Sequence, residues 1–95
     1  MATNENHQHW AAYARELGAN LQRVRISAGL SQERVAHRAG ISTFTYQKLE
    51  KGESNPGTPA NPRLQTLIAL SLVLDIEVEK LLPKPHSALV RSAAD

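Results

Sequence analysis

The stretch Gly29-Leu30-Ser31-Gln32-Glu33-Arg34-Val35-Ala36-His37-Arg38-Ala39-Gly40-Ile41-Ser42-Thr43-Phe44-Thr45-Tyr46-Gln47-Lys48-Leu49-Glu50-Lys51-Gly52 carries two helix starts and two helix stops within 24 residues. Ser31 is placed to cap a helix with its hydroxyl, and Glu33 favours the positive end of that helix dipole. Val35, Ala36 and Ala39 form its inner face, and Gly40 ends it. Ser42 is a second cap. The run from Thr43 to Lys51 then places Thr45, Tyr46 and Leu49 on one side of a further helix, which Gly52 closes. The segment therefore reads as two short helices joined by a tight turn containing glycine, the proportions of a helix-turn-helix.

Toward the N-terminus, Trp10, Tyr13, Ala14, Leu17, Leu21 and Val24 recur at spacings of three and four. They predict an amphipathic first helix from about His7 to Ala28, with Gly18 as a weak point and Gly29 as its stop. In the other direction, Glu53 to Asn61 holds Asn55-Pro56-Gly57 and Pro59, a composition that predicts a long loop without helix or strand. Asn61-Pro62 reads as a cap followed by a proline in the first helical position. Leu64, Leu67, Ile68, Ser71 and Leu74 come after it at helical period. A short fifth helix over about Glu77 to Leu82 ends at Pro83. The expected organisation is an N-terminal extension over 1–15, helical from about residue 7, a five-helix all-α domain over 16–82, and a flexible tail over 83–95.

Composition narrows the function. The chain has 95 residues, 41% of them hydrophobic, and no cysteine, which fits one small domain in a reducing compartment; a cytoplasmic location is expected. The longest apolar run, Leu67 to Leu74, is too short for a membrane span. Net charge is only +2, but it is unevenly placed. Residues 19–52 carry Arg23, Arg25, Arg34, Arg38, Lys48 and Lys51 against Glu33 and Glu50, a net +4, and each flank is slightly negative. Phosphate attraction would act on that third of the chain.

Gly29-Leu30-Ser31-Gln32-Glu33 with Val35-Ala36, then Ala39-Gly40-Ile41-Ser42 and Leu49-Glu50-Lys51-Gly52, stand at spacings that resemble the Xre family of lambdoid phage repressors and Cro. The resemblance extends from Arg25 to Leu82 and implies a lambda-repressor-like, five-helix DNA-binding domain with an extended first helix. The resembling positions have physical reasons: Ala36 is small where two helices cross, Gly40 takes a positive φ, and Ile41 fills the corner. The resemblance implies that helix 43–51 lies in the major groove, with Ser42, Thr43, Phe44, Gln47 and Lys48 as base readers. Gln47 suits adenine, Lys48 suits guanine O6 or N7, and Phe44 suits a thymine methyl. Phosphate contacts are implied for Gln32, Lys51, Arg25 and Arg63, and a partly buried salt bridge for Arg25 and Glu50.

Phe44 departs from the family pattern, and its alternative is packing against Trp10 or a dimer partner. Arg34 and Arg38 are read as a solvated face or as secondary DNA contacts. Ala69 and Leu72 fall on a side of the fourth helix that the family fills with polar residues. Either a symmetry mate or the turn bearing Trp10 and Tyr13 would cover them, and dimerisation is the favoured reading. His7-Gln8-His9 has the wrong spacing for a shared metal, no nucleophile has a base, and no cofactor is implied. The functional expectation is a homodimeric, sequence-specific transcriptional regulator on a near-palindromic operator of double-stranded DNA, and not an enzyme. The alternatives are a protein-interaction module, such as an antitoxin that holds a small toxin or a target of an antirepressor, and a restriction-modification controller.

Overall fold

The computed structural model describes residues 4–84, with side chains from residue 9 onward. Five helices occur in chain order: α1 (Asn4–Ser27), α2 (Gln32–Ala39), α3 (Thr43–Lys51), α4 (Leu64–Leu74) and α5 (Val78–Leu81). Their start and stop signals act as the sequence predicts in the central pair. The Ser31 hydroxyl accepts from the Arg34 N–H at 3.0 Å, and the Ser42 hydroxyl accepts from the Thr45 N–H at 3.0 Å. Gly40 and Gly52 terminate the two helices in the left-handed conformation, at φ 77° and 78°.

The core is built from one face of each helix. Ala14, Leu17 and Leu21 of α1 meet Val35 and Ala36 of α2, Tyr46 and Leu49 of α3, Leu70 and Leu74 of α4, and Leu81 of α5. Gly18 is no weak point in this arrangement. A Cβ there would lie within 2.5 Å of the Leu49 carbonyl oxygen and closer still to that of Glu50. Glycine is what lets the last turn of α3 rest on the backbone of α1. At the far end, Asn20 Nδ2 donates to the Leu81 carbonyl at 2.9 Å and ties α1 to α5.

Four sequence expectations need correction. First, α1 begins at Asn4, about one turn before the expected start. Second, the stretch after Gly52 is a small hairpin and not a structureless loop: β1 (Glu53–Asn55) pairs antiparallel with β2 (Thr58–Pro59). Pro56 and Gly57 sit at the two central turn positions, with Gly57 at φ 80°, so the residues expected to break strands here close a hairpin instead.

Third, Asn61 and Pro62 do not open α4; its cap is Arg63, extended at φ −67°, ψ 148° and without a side-chain capping bond. The residue before a proline avoids helical φ/ψ, and Ala60 is anchored by its N–H on the Gly52 carbonyl at 2.8 Å. Fourth, the inward face of α4 is shifted from the one expected: Leu67, Ser71 and Leu74 do face the core, but Leu64 and Ile68 do not. Leu70, Ser71 and Leu74 are buried, whereas Leu64 and Ile68, expected inside, are exposed together with Leu72. Almost every position of this helix is apolar, so periodicity could not select its face. The buried Ser71 hydroxyl is satisfied by donating to the Ile68 carbonyl at 2.7 Å. From residue 85 on, the expected tail lies outside the described residues.

Candidate nucleic-acid interface

α2 and α3 are locked together by a chain of polar side chains that begins inside the protein and ends at its surface. Arg25, near the end of α1, donates from Nε to Glu50 Oε2 at 2.6 Å and from Nη2 to Oε1 at 3.2 Å. Its Nη1 donates to the Leu30 carbonyl at 3.0 Å. The two side chains are only 12% and 5% exposed, so this is a bidentate pair largely removed from water. Burial drives the Glu50 carboxyl upward in pKa. The hydrogen bonds from Arg25 and Gln32 and the adjacent Tyr46 hydroxyl outweigh burial and hold it below its ordinary value. Burial, and then the Glu50 charge, push the Tyr46 phenol far above its usual range. Its hydroxyl lies against the pair without a hydrogen bond of good geometry.

Gln32, in the first turn of α2, carries the chain outward. Its Nε2 donates to Glu50 Oε1 at 2.8 Å, and its Oε1 accepts from Gln47 Nε2 at 3.2 Å. Gln47 is exposed on α3. Next to it on the same helix, the Lys48 ammonium sits 4.5 Å from the centre of the ring of Phe44, one turn back, a cation–π contact on the outer surface. Phe44 itself is 67% exposed.

The residues singled out by sequence lie at different depths. Phe44, Gln47 and Lys48 share the outward side of α3, with Thr43 half-buried at its start. Ser42 is exposed at the start of α3, and its hydroxyl both caps the helix and donates to Thr45 Oγ1 at 2.9 Å. Arg25 is directed toward Glu50 and the Leu30 carbonyl, with Nε, Nη1 and Nη2 each making one of these bonds. Lys51 and Arg63 are exposed at the edges of the same surface. A cleft of about 340 Å³ between α3 and the start of α4 is lined by Thr45, Lys48, Asn61, Arg63 and Thr66.

Phe44 does not pack against Trp10. That indole is stacked on Tyr13, with ring centroids 5.5 Å apart, and donates from Nε1 to the Ala60 carbonyl at 3.0 Å. Nor does the Trp10 turn cover Leu72, which is 75% exposed, while Ala69 beside it is half-buried.

A family profile described as a helix-turn-helix domain matches residues 16–75, which covers the C-terminal half of α1, both capped helices and all of α4. The chain belongs to the helix-turn-helix domain family. It is 37% identical over 70 residues to the SPbeta prophage-derived uncharacterized HTH-type transcriptional regulator YonR of Bacillus subtilis (strain 168). That match takes in 74% of this chain and 59% of the relative's length. Among solved structures, it resembles the restriction-modification controller protein C.AhdI from Aeromonas hydrophila, with a TM-score of 0.66 and 30% identity over 75% of this chain and 98% of that one. It also resembles a chain of the SinR protein/SinI protein complex, with a TM-score of 0.61 and 28% identity over 82% and 78% of the two chains.

Two features of this helix-turn-helix chain escape a reading of the sequence. The Gln32–Gln47 contact joins residues for which separate DNA contacts are expected. The Trp10–Ala60 bond spans 50 residues and has no local signature. The close approach at Gly18 does leave a signal, a glycine inside a strong helical pattern, which marks tight packing as readily as weakness.

Proposed function

We propose that the chain is a sequence-specific DNA-binding transcriptional regulator, with α3 entering the major groove and Phe44, Gln47 and Lys48 meeting base edges. The observation that carries this reading is the polar chain from Arg25–Glu50 through Gln32 to Gln47, which holds a side chain of the exposed helix in a set orientation within the most basic third of the molecule. Lys51, Arg63 and the start of α2 at Gln32 would lie along the phosphates. Membership of the helix-turn-helix family, and the regulator named among its relatives, support this over an enzymatic role. Among the described residues no helix is long and apolar enough to cross a membrane.

The protein acts as a homodimer in this reading. Leu64, Ile68 and Leu72 stand four residues apart and so form one exposed apolar ridge on α4, with Ala69 at its side. A second copy packed on this ridge would place two α3 helices on half-sites about one turn of DNA apart, roughly 34 Å. The likeness to C.AhdI favours a restriction-modification setting. The likeness to a SinR/SinI chain favours a protein partner for the same fold, and an antitoxin or antirepressor target is of that kind.

Selection of bound duplexes from a genomic fragment library, at fixed salt, tests the proposal. An inverted repeat is the expected product, with Lys48→Ala relaxing discrimination at one position and Lys51→Ala weakening all duplexes alike and lowering the salt slope by about 0.9. Recovery of duplexes with no sequence in common would overturn it.

A further inference from the structure

Trp10 lies outside the stretch that matches the family, yet it is wired to the segment that leads into α4. Ala60 is held at three points: its N–H on the Gly52 carbonyl at 2.8 Å, its carbonyl on the Trp10 indole N–H at 3.0 Å, and its methyl group in the core at 2% exposure. Gly52 is itself pressed on α1, where a Cβ would lie 2.7 Å from the Arg15 Cα. Tyr13, stacked on the indole at an interplanar angle of 16°, holds the ring in place.

The connector from Ala60 to Arg63 is short and stiff. Pro62 has a fixed φ, Asn61 is restricted because it precedes a proline, and Arg63 is extended. The position of the Arg63 backbone is therefore set within three residues of the Trp10 bond. Arg63 is exposed, makes no ion pair among the described residues, and lines the same cleft beside α3 as Lys48. One wall of that cleft is the proposed reading helix with Lys48, and Arg63 belongs to the connector that lines it as well.

We infer that Trp10 is a positioning residue for DNA-backbone binding: through Ala60 it fixes the connector that presents Arg63 to a phosphate alongside α3. The inference rests on the DNA-binding reading above and gives the N-terminal extension a role in it. A phosphate contact is a matter of ångströms, and freeing the Ala60 carbonyl lets the connector drift while leaving the core helices in place.

The test is duplex affinity as a function of KCl for the full chain, using the duplex recovered by selection, in wild type, Trp10→Phe, Arg63→Gln and the double variant. Phenylalanine keeps an aromatic ring beside Tyr13 and removes the N–H together with the five-membered ring that carries it. Trp10→Phe and Arg63→Gln are each expected to lose affinity severalfold and to lower the salt slope by about 0.9, the share of one phosphate. The double variant should match Arg63→Gln alone. A Trp10→Phe protein with an unchanged slope, or additive losses in the double variant, would overturn the inference. Wild type that binds no duplex at all removes the DNA reading beneath it, a distinct result. Trp10 is the only tryptophan in the chain, so its emission supplies a readout that needs no substitution at residue 10. Duplex should change that emission in wild type and not in Arg63→Gln, and an unresponsive wild type that nevertheless binds would equally overturn the inference.

Discussion

α3 and α4 are neighbours of similar length that the chain defines in opposite ways. α3 is bounded by local chemistry, a serine hydroxyl at its start and a left-handed glycine at its end, and it is tied by side-chain hydrogen bonds to α2 and α1. α4 has no side-chain cap, no charged residue within it, and an end at Asp75, a non-glycine residue at φ 54°. What holds α4 is burial of Leu70, Ser71 and Leu74, and its opposite face has no partner among the described residues. The difference teaches that α3 is held by bonds made within a single copy, whereas α4 leaves an apolar ridge of Leu64, Ile68 and Leu72 exposed, which is the face the proposed dimer would use.

Four substitutions probe that contrast, beginning with the most damaging. Glu50→Ala should cost about 3 kcal/mol or more in urea unfolding, because it strands the guanidinium of Arg25 in a nearly dry site. The same pair gives the contrast a pH signature. Glu50 has a folded-state pKa below its unfolded value near 4.5, so its contribution is present above that value and is lost as pH falls through the folded pKa. Unfolding curves collected from pH 6 downward should therefore converge for wild type and Glu50→Gln in acid.

Gly18→Ala comes next. Helix propensity alone would make it stabilising by up to about 1 kcal/mol. The contact with the α3 carbonyls makes it destabilising by about 1–3 kcal/mol, and the sign of the measured change decides between them. Ser42→Ala should remove about 1 kcal/mol by loss of the α3 cap. Smallest in stability is Leu72→Glu, expected to change unfolding by less than about 0.5 kcal/mol at dilutions where wild type is monomeric, because the side chain is exposed within one copy. Sedimentation should nonetheless show it monomeric at concentrations where wild type is dimeric, and an unaltered oligomer would remove α4 from the interface.

The same contrast explains how far the fold is legible in the sequence. The caps at Ser31 and Ser42 and the stops at Gly40 and Gly52 are chemistry acting within four residues, so the motif and its boundaries can be read directly. The start of α4 is misplaced by such a reading because Asn61-Pro62 is a valid local signal overruled by the anchoring of Ala60 to Gly52 and Trp10, contacts that no window along the chain contains. Its inner face is read only in part, right at Leu67, Ser71 and Leu74 and wrong at Leu64 and Ile68, because a run such as Leu67-Ile68-Ala69-Leu70 carries hydrophobicity without direction. At the reading surface the residue types are legible, but their coupling is not: which donor Gln47 offers depends on Gln32, fifteen positions away.

That dependence reaches the surface chemistry. Glu50, held as a carboxylate, can only accept, so Gln32 must turn its amide nitrogen toward it and leave its oxygen for Gln47. Gln47 in turn must direct its nitrogen to Gln32, which fixes the sense in which its own oxygen and remaining N–H face outward. A buried charge thus writes a polarity onto an exposed amide two side chains away, and a neutral Glu50→Gln, able to donate or accept, would no longer dictate which way the Gln47 amide faces.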